Sequence, residues 1–320
     1  MNRMVRILAG IMLALAVFPA LAQTWPHRPV KFIVSLGPGS GADIGARLFA
    51  DKLTQRWGQP VVIENRPGGD GVVAINAMLS AKDDHVLLWG PSSNFVGHPY
   101  TLEKLPYNKD DMLPVARVTN TVVTLAVPPT LGVNSLKEFM ALARQQPGRF
   151  NFASVTTVTD IIMAGYFKTA GLDVQKVSYK DTVTALNDLT EGRIQMYGAA
   201  YAIVRSAAQS GRLKVLAITN RARVPGLDVP TVSELGFPQL NFDGLVGLIA
   251  ARSSGISDAA RDRIAADIKA VAADPIVAER LAATAQVNAP GTGADLQASI
   301  DEQAAQLAAT AKILGMKPNF

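Results

Sequence analysis

The stretch Val30-Lys31-Phe32-Ile33-Val34-Ser35-Leu36-Gly37-Pro38-Gly39-Ser40-Gly41-Ala42-Asp43-Ile44 decides how the rest of the chain is read. Its apolar first half predicts a strand over residues 30–35. A glycine-rich turn at 37–41 leaves that strand. Ile44, Leu48, Phe49, Leu53 and Trp57 then recur near the 3.6-residue period of a helix starting at about Ala42. Gly58 and Pro60 stop it. A second strand over 61–64, turn chemistry at Asn65-Arg66-Pro67-Gly68-Gly69, a helix over 72–81 and a strand over 86–89 follow. Strands and helices alternating at these spacings predict parallel βαβ units, with helices on the faces of a sheet.

The middle of the chain repeats the alternation. Strands are expected at 121–127, 150–154, 174–179, 195–199 and 214–219, with helices near 160–170, 182–190 and 202–210. Ser135-Leu136-Lys137-Glu138 is a capping box, in which each outer side chain covers a backbone N–H that the first turn leaves unpaired. The helix it opens ends at Pro147-Gly148. Thr231-Val232-Ser233-Glu234 repeats the signature and predicts a short helix. A strand at 245–250 precedes a mostly helical segment, 257–314, broken at Asp274-Pro275 and Pro290-Gly291.

The 320 residues set a prior of two domains, and 48% hydrophobic against 18% charged residues excludes a disordered or collagen-like chain. The net charge of +5 is spread without a basic run, so no nucleic-acid partner is expected. The absence of cysteine removes zinc ribbons, iron–sulfur clusters, thiol catalysis and disulfides. His27, His85 and His98 leave little material for a metal site, and none is expected. Arg3 and Arg6, the uncharged run 7–18 and Ala20-Leu21-Ala22 read as a cleavable signal peptide over residues 1–22. An exported product without cysteine suits a bacterial periplasm.

Glycines in the 37–41 turn permit positive φ and close approach of a ligand. The first N–H groups of the following helix lack partners and lie at the positive end of its dipole, which suits a carboxylate or phosphate. A tight connection with no ligand is the plainer reading of the same residues. A dinucleotide fingerprint is the rival: Gly37, Gly39 and Ala42 approximate G-x-G-x-x-A, and Glu64 ends the next strand where a ribose contact would sit. That reading makes the chain an exported dinucleotide-dependent oxidoreductase; Pro38 inside the turn and export count against it. There is no G-x-S-x-G and no H-E-x-x-H. The adjacent pairs Asp83-Asp84 and Asp110-Asp111 diverge and read as solvated. His27 and His98 sit beside prolines in expected loops, and Trp25, Trp57 and Trp89 read as core or boundary residues. Three more loops follow strand ends: Gly90-Pro91-Ser92-Ser93-Asn94, Ser154-Val155-Thr156-Thr157 and Tyr179-Lys180-Asp181. All are rich in hydroxyls, at the strand ends where open parallel sheets collect ligands.

The sequence as a whole resembles a known family. The resemblance is carried by Arg28-Pro29-Val30 leading into Pro38-Gly39-Ser40-Gly41-Ala42-Asp43-Ile44, Gly58-Gln59-Pro60-Val61-Val62-Ile63-Glu64-Asn65-Arg66-Pro67-Gly68, Leu105-Pro106-Tyr107, Tyr179-Lys180, Gly211-Arg212-Leu213-Lys214 and Val229-Pro230-Thr231-Val232-Ser233-Glu234. These are similar to the periplasmic solute-binding proteins of tripartite tricarboxylate transporters, the Bug or TctC family. The resemblance runs from Trp25-Pro26 to the C-terminus. It implies an α/β, type II periplasmic-binding-protein fold, in which two α/β domains flank a ligand cleft. One domain would combine 23–121 with 220–320, and the other would be 122–219. It implies a small carboxylate ligand, no cofactor and no catalysis. Pro38, Gly39, Ser40, Gly41, Ala42 and Asp43 would hold one carboxylate, with Asp43 as a cap and loop organiser. Ser92, Ser93, Ser154, Thr156, Thr157 and Tyr179 would orient the rest. The expected product is a monomer that presents its loaded form to membrane transporter subunits or to a sensor ectodomain.

The chain departs from the family where selectivity should sit. A glycine-rich stretch is replaced by Ala153-Ser154-Val155-Thr156-Thr157-Val158-Thr159, and Ser178-Tyr179-Lys180-Asp181 and Tyr197-Gly198-Ala199-Ala200-Tyr201 also differ. Asp181 is expected to repel a second ligand carboxylate unless Lys180 pairs with it.

Overall fold

Val30, Phe32, Ile33 and Val34 are buried almost completely, the pattern of a strand covered on both faces. The computed structural model, which describes residues 25–154, 156–179 and 181–319, places them as β1 (Val30–Val34) inside a six-stranded sheet. The expected leader at 1–22 lies outside the described residues. β1 pairs in parallel with β2 (Val61–Asn65) on one side and β3 (Val86–Pro91) on the other. The crossovers are α1 (Gly41–Trp57) and α2 (Val72–Ala81). α1 starts where the Ser40 hydroxyl accepts the Asp43 N–H and stops at Gly58, which takes a left-handed φ of 66°. Beyond β3 the sheet continues antiparallel through β10 (Gly244–Ala251), β4 (Met112–Thr121) and β11 (Gln286–Thr292).

A second sheet has the order β7 (Val174–Lys176), β6 (Phe150–Ser154), β8 (Met196–Ala200), β5 (Val123–Val127), β9 (Lys214–Ile218). Its helices are α4 (Leu136–Gln145), α5 (Thr157–Thr169), α6 (Thr182–Thr190) and α7 (Tyr201–Gln209), while α3 (Ser93–Gly97) belongs to the first sheet. The chain passes between the sheets at Val122. That residue is fully buried, donates to Ala285 O at 3.1 Å and accepts from Tyr201 N at 2.9 Å. The return strand is stitched by Asn220, which accepts from Val123 N at 3.3 Å and donates to Asp243 Oδ1 at 3.1 Å. The chain then runs through α8 (Asp258–Ala272), α9 (Pro275–Ala283) and α10 (Gly293–Leu314). α10 packs tightly on α5: a Cβ added at Gly165 would collide with Thr310 Cγ2. One apolar core includes Ile75 and Leu88 of the first sheet's layers together with Phe152, Phe167 and Leu307. Among the described residues no helix is long and apolar enough to cross a membrane.

Several expectations need correction. The strand expected at 121–127 is two strands in two sheets, broken at Val122. The local sequence does not announce β4 or β11: polar Arg117, Thr119 and Asn120 interrupt the apolar pattern of one, and Pro290-Gly291 makes the other read as a helix break. In β11 that dipeptide sits at a register irregularity between Asn288 and Gly291. The box at 231–234 forms both reciprocal bonds, at 3.1 and 3.2 Å, but opens only a turn, because Gly236 (φ 88°) and Pro238 follow. At the other box Ser135 caps Glu138 N as expected, whereas the Glu138 carboxylate reaches Asn134 N.

Candidate functional site

The turn at 37–40 is shaped by a carboxylate. Asp43, only 2% exposed, accepts the Gly39 N–H on Oδ2 at 2.9 Å, and Asn65 Nδ2 donates to Oδ1 at 2.8 Å. Arg47, one helical turn on, pairs with both oxygens. Burial pushes the Asp43 carboxyl up, but hydrogen bonds from Arg47, Gly39 and Asn65 outweigh it and hold the group below the ordinary carboxylate value. Asn65 also donates to Leu36 O, tying the end of β2 to the turn. From β11, Gln286 Nε2 donates to Gly41 O at 2.7 Å and buttresses the first turn of α1. Ser40 N is spent on Gly37 O and Asp43 N on the Ser40 hydroxyl. The N–H groups of Gly41 and Ala42 remain, with no acceptor among the described residues. The donor set that the sequence spread over six residues therefore narrows to two amides. Gly39 serves by its positive φ of 80°.

The loop after β3 enters α3. The Ser92 hydroxyl is buried and donates to Gln303 Oε1 on α10. Ser93, 4% exposed, has no side-chain hydrogen bond among the described residues. Asn94 accepts from Ser35 Oγ at 3.1 Å and donates to the Asp70 carbonyl and carboxylate.

The loop after β6 comes from the second sheet. The Thr156 hydroxyl caps α5 by accepting Thr159 N, and Ser154 Oγ donates to Thr156 O and to Asp160 Oδ1. Asp160 also pairs with Lys176 Nζ at 2.6 Å, yet burial outweighs these partners and raises its carboxyl above the ordinary value. Thr157 Oγ1 reaches the loop after β2 of the first sheet and donates to Asp70 Oδ2 at 3.2 Å. The N–H groups of Thr157 and Val158 have no acceptor among the described residues. Tyr179 donates to Asp188 Oδ2 at 2.7 Å; burial first, and then this carboxylate, push its phenol up to about 12. Asp181 accepts Thr184 N at 2.8 Å and Thr184 Oγ1 at 2.9 Å as the cap of α6. Its carboxylate is thus occupied by its own helix.

The structure brings Thr157 together with the α3 loop: a Cβ at Gly97 would sit 3.5 Å from Thr157 Cβ. It turns Ser92 toward α10 and Tyr179 toward α6. Sequence reasoning missed Asp70, Asn94 and Gln286. Asp70 lay between the turn read at 65–69 and the helix read from 72, and Gln286 in a segment read as helical. His98, expected in a loop, is fully buried: Nε2 donates to Asp70 O at 2.9 Å and Nδ1 accepts from Tyr107 at 2.6 Å. Glu64 is held by Lys31 at 2.7 Å and by Arg66, which occupies the carboxylate that the dinucleotide rival assigned to a ribose. Asp83 and Asp84, with His85 beside them, are bound by Arg28 rather than simply solvated. Two cavities, of about 430 Å³ beside Tyr100 and Ile300 and about 550 Å³ beside Asp51 and Arg280, are lined by none of the twelve residues named from the sequence. We place the candidate site at the loops because the unpaired amides of Gly41, Ala42, Thr157 and Val158 open helices that follow strand ends.

Residues 45–315 match the family model described as the tripartite tricarboxylate transporter family receptor. A UPF0065 protein of Bordetella bronchiseptica is 30% identical over 98% of this chain and 93% of its own length. A solved structure described as a periplasmic transporter superposes with a TM-score of 0.80 at 26% identity, covering 92% of this chain and 99% of that one. An R. palustris protein solved with adipate gives the same score at 24% identity, with the same coverage. The two-sheet α/β architecture is thus that of periplasmic binding proteins.

Proposed function

The chain belongs to the tripartite tricarboxylate transporter receptor family, and we propose that it captures a small organic carboxylate between its two lobes in the periplasm and presents it to membrane transporter subunits. The observation that carries this reading is the first turn of α1. The Gly41 and Ala42 amides have no acceptor among the described residues there, at the positive end of a 17-residue helix. Asp43 does not cancel that end, because Arg47 and Asn65 neutralise and orient it. The R. palustris neighbour solved with adipate supports an organic acid as the ligand class. The domains we propose are 23–121 with 220–320, and 122–219, joined at Val122 and Asn220. Closure would follow from the ligand's extra affinity for the closed arrangement and from no other source. The groups we assign to the ligand are the Gly41 and Ala42 amides, with the Ser93 hydroxyl and the Thr157 amide from the facing loops; no catalytic step is assigned.

Native mass spectrometry of protein purified without unfolding tests the proposal, followed by calorimetric titration with organic acids and with NAD(P). A co-purifying acid that rebinds is the expected result. Cofactor binding with no acid binding would overturn it.

A further inference from the structure

Asp70 lies where the two lobes meet, in the loop that leaves β2 beside the α1 turn. Its backbone is left-handed, at φ 53° and ψ 36°. Three groups hold it there. Asn94 Nδ2 donates to its carbonyl at 2.7 Å and to Oδ1 at 3.1 Å, and His98 Nε2 donates to the same carbonyl at 2.9 Å. Asn94 is itself fixed by Ser35. The remaining carboxylate oxygen accepts from Thr157, the first residue of α5. A protein carboxylate therefore stands beside the α5 terminus, on the Thr157 hydroxyl, while the Thr157 and Val158 amides have no acceptor among the described residues.

We propose that Asp70 is a specificity-determining residue that sets a fixed negative charge beside the α5 terminus facing the cleft, so that the protein selects a monocarboxylate with a neutral or cationic far end and rejects dicarboxylates. The inference rests on the carboxylate reading above. Asp70 has no lysine or arginine partner among the described residues: its contacts are Asn94, Thr157 and His98, and Lys176 is committed to Asp160. His98 Nε2 is spent on the Asp70 carbonyl at 2.9 Å and stands 3.9 Å from the carboxylate, and burial lowers its proton affinity. The Asp70 side chain keeps 37% of its surface exposed, so a ligand can meet it. A second carboxylate brought there would face like charge at short range with little screening.

Calorimetry with two matched series tests this: butyrate, 4-aminobutyrate and succinate, then hexanoate, 6-aminohexanoate and adipate. Each is titrated into the wild type and into Asp70→Asn, which keeps the side-chain shape and tolerates the left-handed backbone. The wild type should bind the better monoacid of a series at least about tenfold more tightly than the diacid, and Asp70→Asn should close most of that gap by tightening the diacid. Should the asparagine variant not fold, Asp70→Gly carries the same comparison, since glycine suits positive φ. Equal or tighter diacid binding by the wild type, or an unchanged gap in the variant, overturns the role of Asp70 and leaves the carboxylate reading standing. Failure of every acid to bind either protein overturns both.

Discussion

The Gly39 N–H donates to Asp43 Oδ2 at 2.9 Å, four residues ahead and inside the next helix. This one contact sets which amides of the turn stay unpaired. It spends the Gly39 donor on the protein and leaves those of Gly41 and Ala42. Under the proposed function, a side chain that looks repulsive to an anion thus builds the anion site.

Replacing Asp43 should show in stability against pH. Its folded value lies below the ordinary one, so its contribution is present above the unfolded value and is lost as pH falls through the folded value. Asp43→Ala should cost about 1–2 kcal/mol at neutral pH, the range for a lost helix-end cap, with a smaller difference in strong acid. Urea unfolding across that pH range checks both parts; a pH-independent difference would contradict the charge account.

The sign reverses at Asp70. Burial raises its folded value, helped by Asp160 and opposed by His98, Thr157 and Asn94. Tyr107 lies behind His98. The stability this group contributes is present below the ordinary carboxylate value and is lost as pH rises through the raised folded value. Asp70→Asn should therefore raise the melting temperature near neutrality, and the gain should fade on acidification. A gain that grows on acidification would contradict the burial argument.

Ser92 separates structure from ligand contact. Its hydroxyl donates to Gln303 on α10. Ser92→Ala strands a buried acceptor, an expected cost of about 1–3 kcal/mol, while acid affinity stays unchanged. Full stability with lost affinity would instead make Ser92 a ligand residue.

Gly165 measures how firmly α10 clamps α5. Its absent Cβ leaves room for Thr310, whose hydroxyl is tied to Gln306 O at 3.0 Å and so resists rotating away. Gly165→Ala should destabilise by about 1–3 kcal/mol through overpacking. A neutral effect in chemical denaturation would mean that the contact is loose.

The sequence made the βαβ start legible because β1, α1 and β2 have local signatures: an apolar run, a helical stripe, and Gly58 with Pro60. The 182–190 helix and the 150–154 strand were equally plain. β4 and β11 were hidden because their identity depends on partners distant in sequence, β10 above all. At the candidate site the glycine turn and the helix terminus could be read from residue types. The direction of each hydroxyl could not. Ser92 turns to Gln303, Thr157 to Asp70 and Tyr179 to Asp188, pairings 211, 87 and 9 residues apart that only the fold creates. Asp70 gave no signal of its own, since its neighbours Gly68, Gly69 and Gly71 spoke only of a turn.

Gly41→Pro tests the central claim most directly. Proline at the first helical position deletes one N–H, the preceding Ser40 is already extended at ψ 157°, and the added Cβ would lie 3.7 Å from Gln286 Nε2, an ordinary contact. The account predicts an apo protein at least as stable as the wild type that binds its acid at least about tenfold more weakly, the loss of one charge-assisted hydrogen bond. Unchanged affinity measured by calorimetry would remove the α1 terminus from the site.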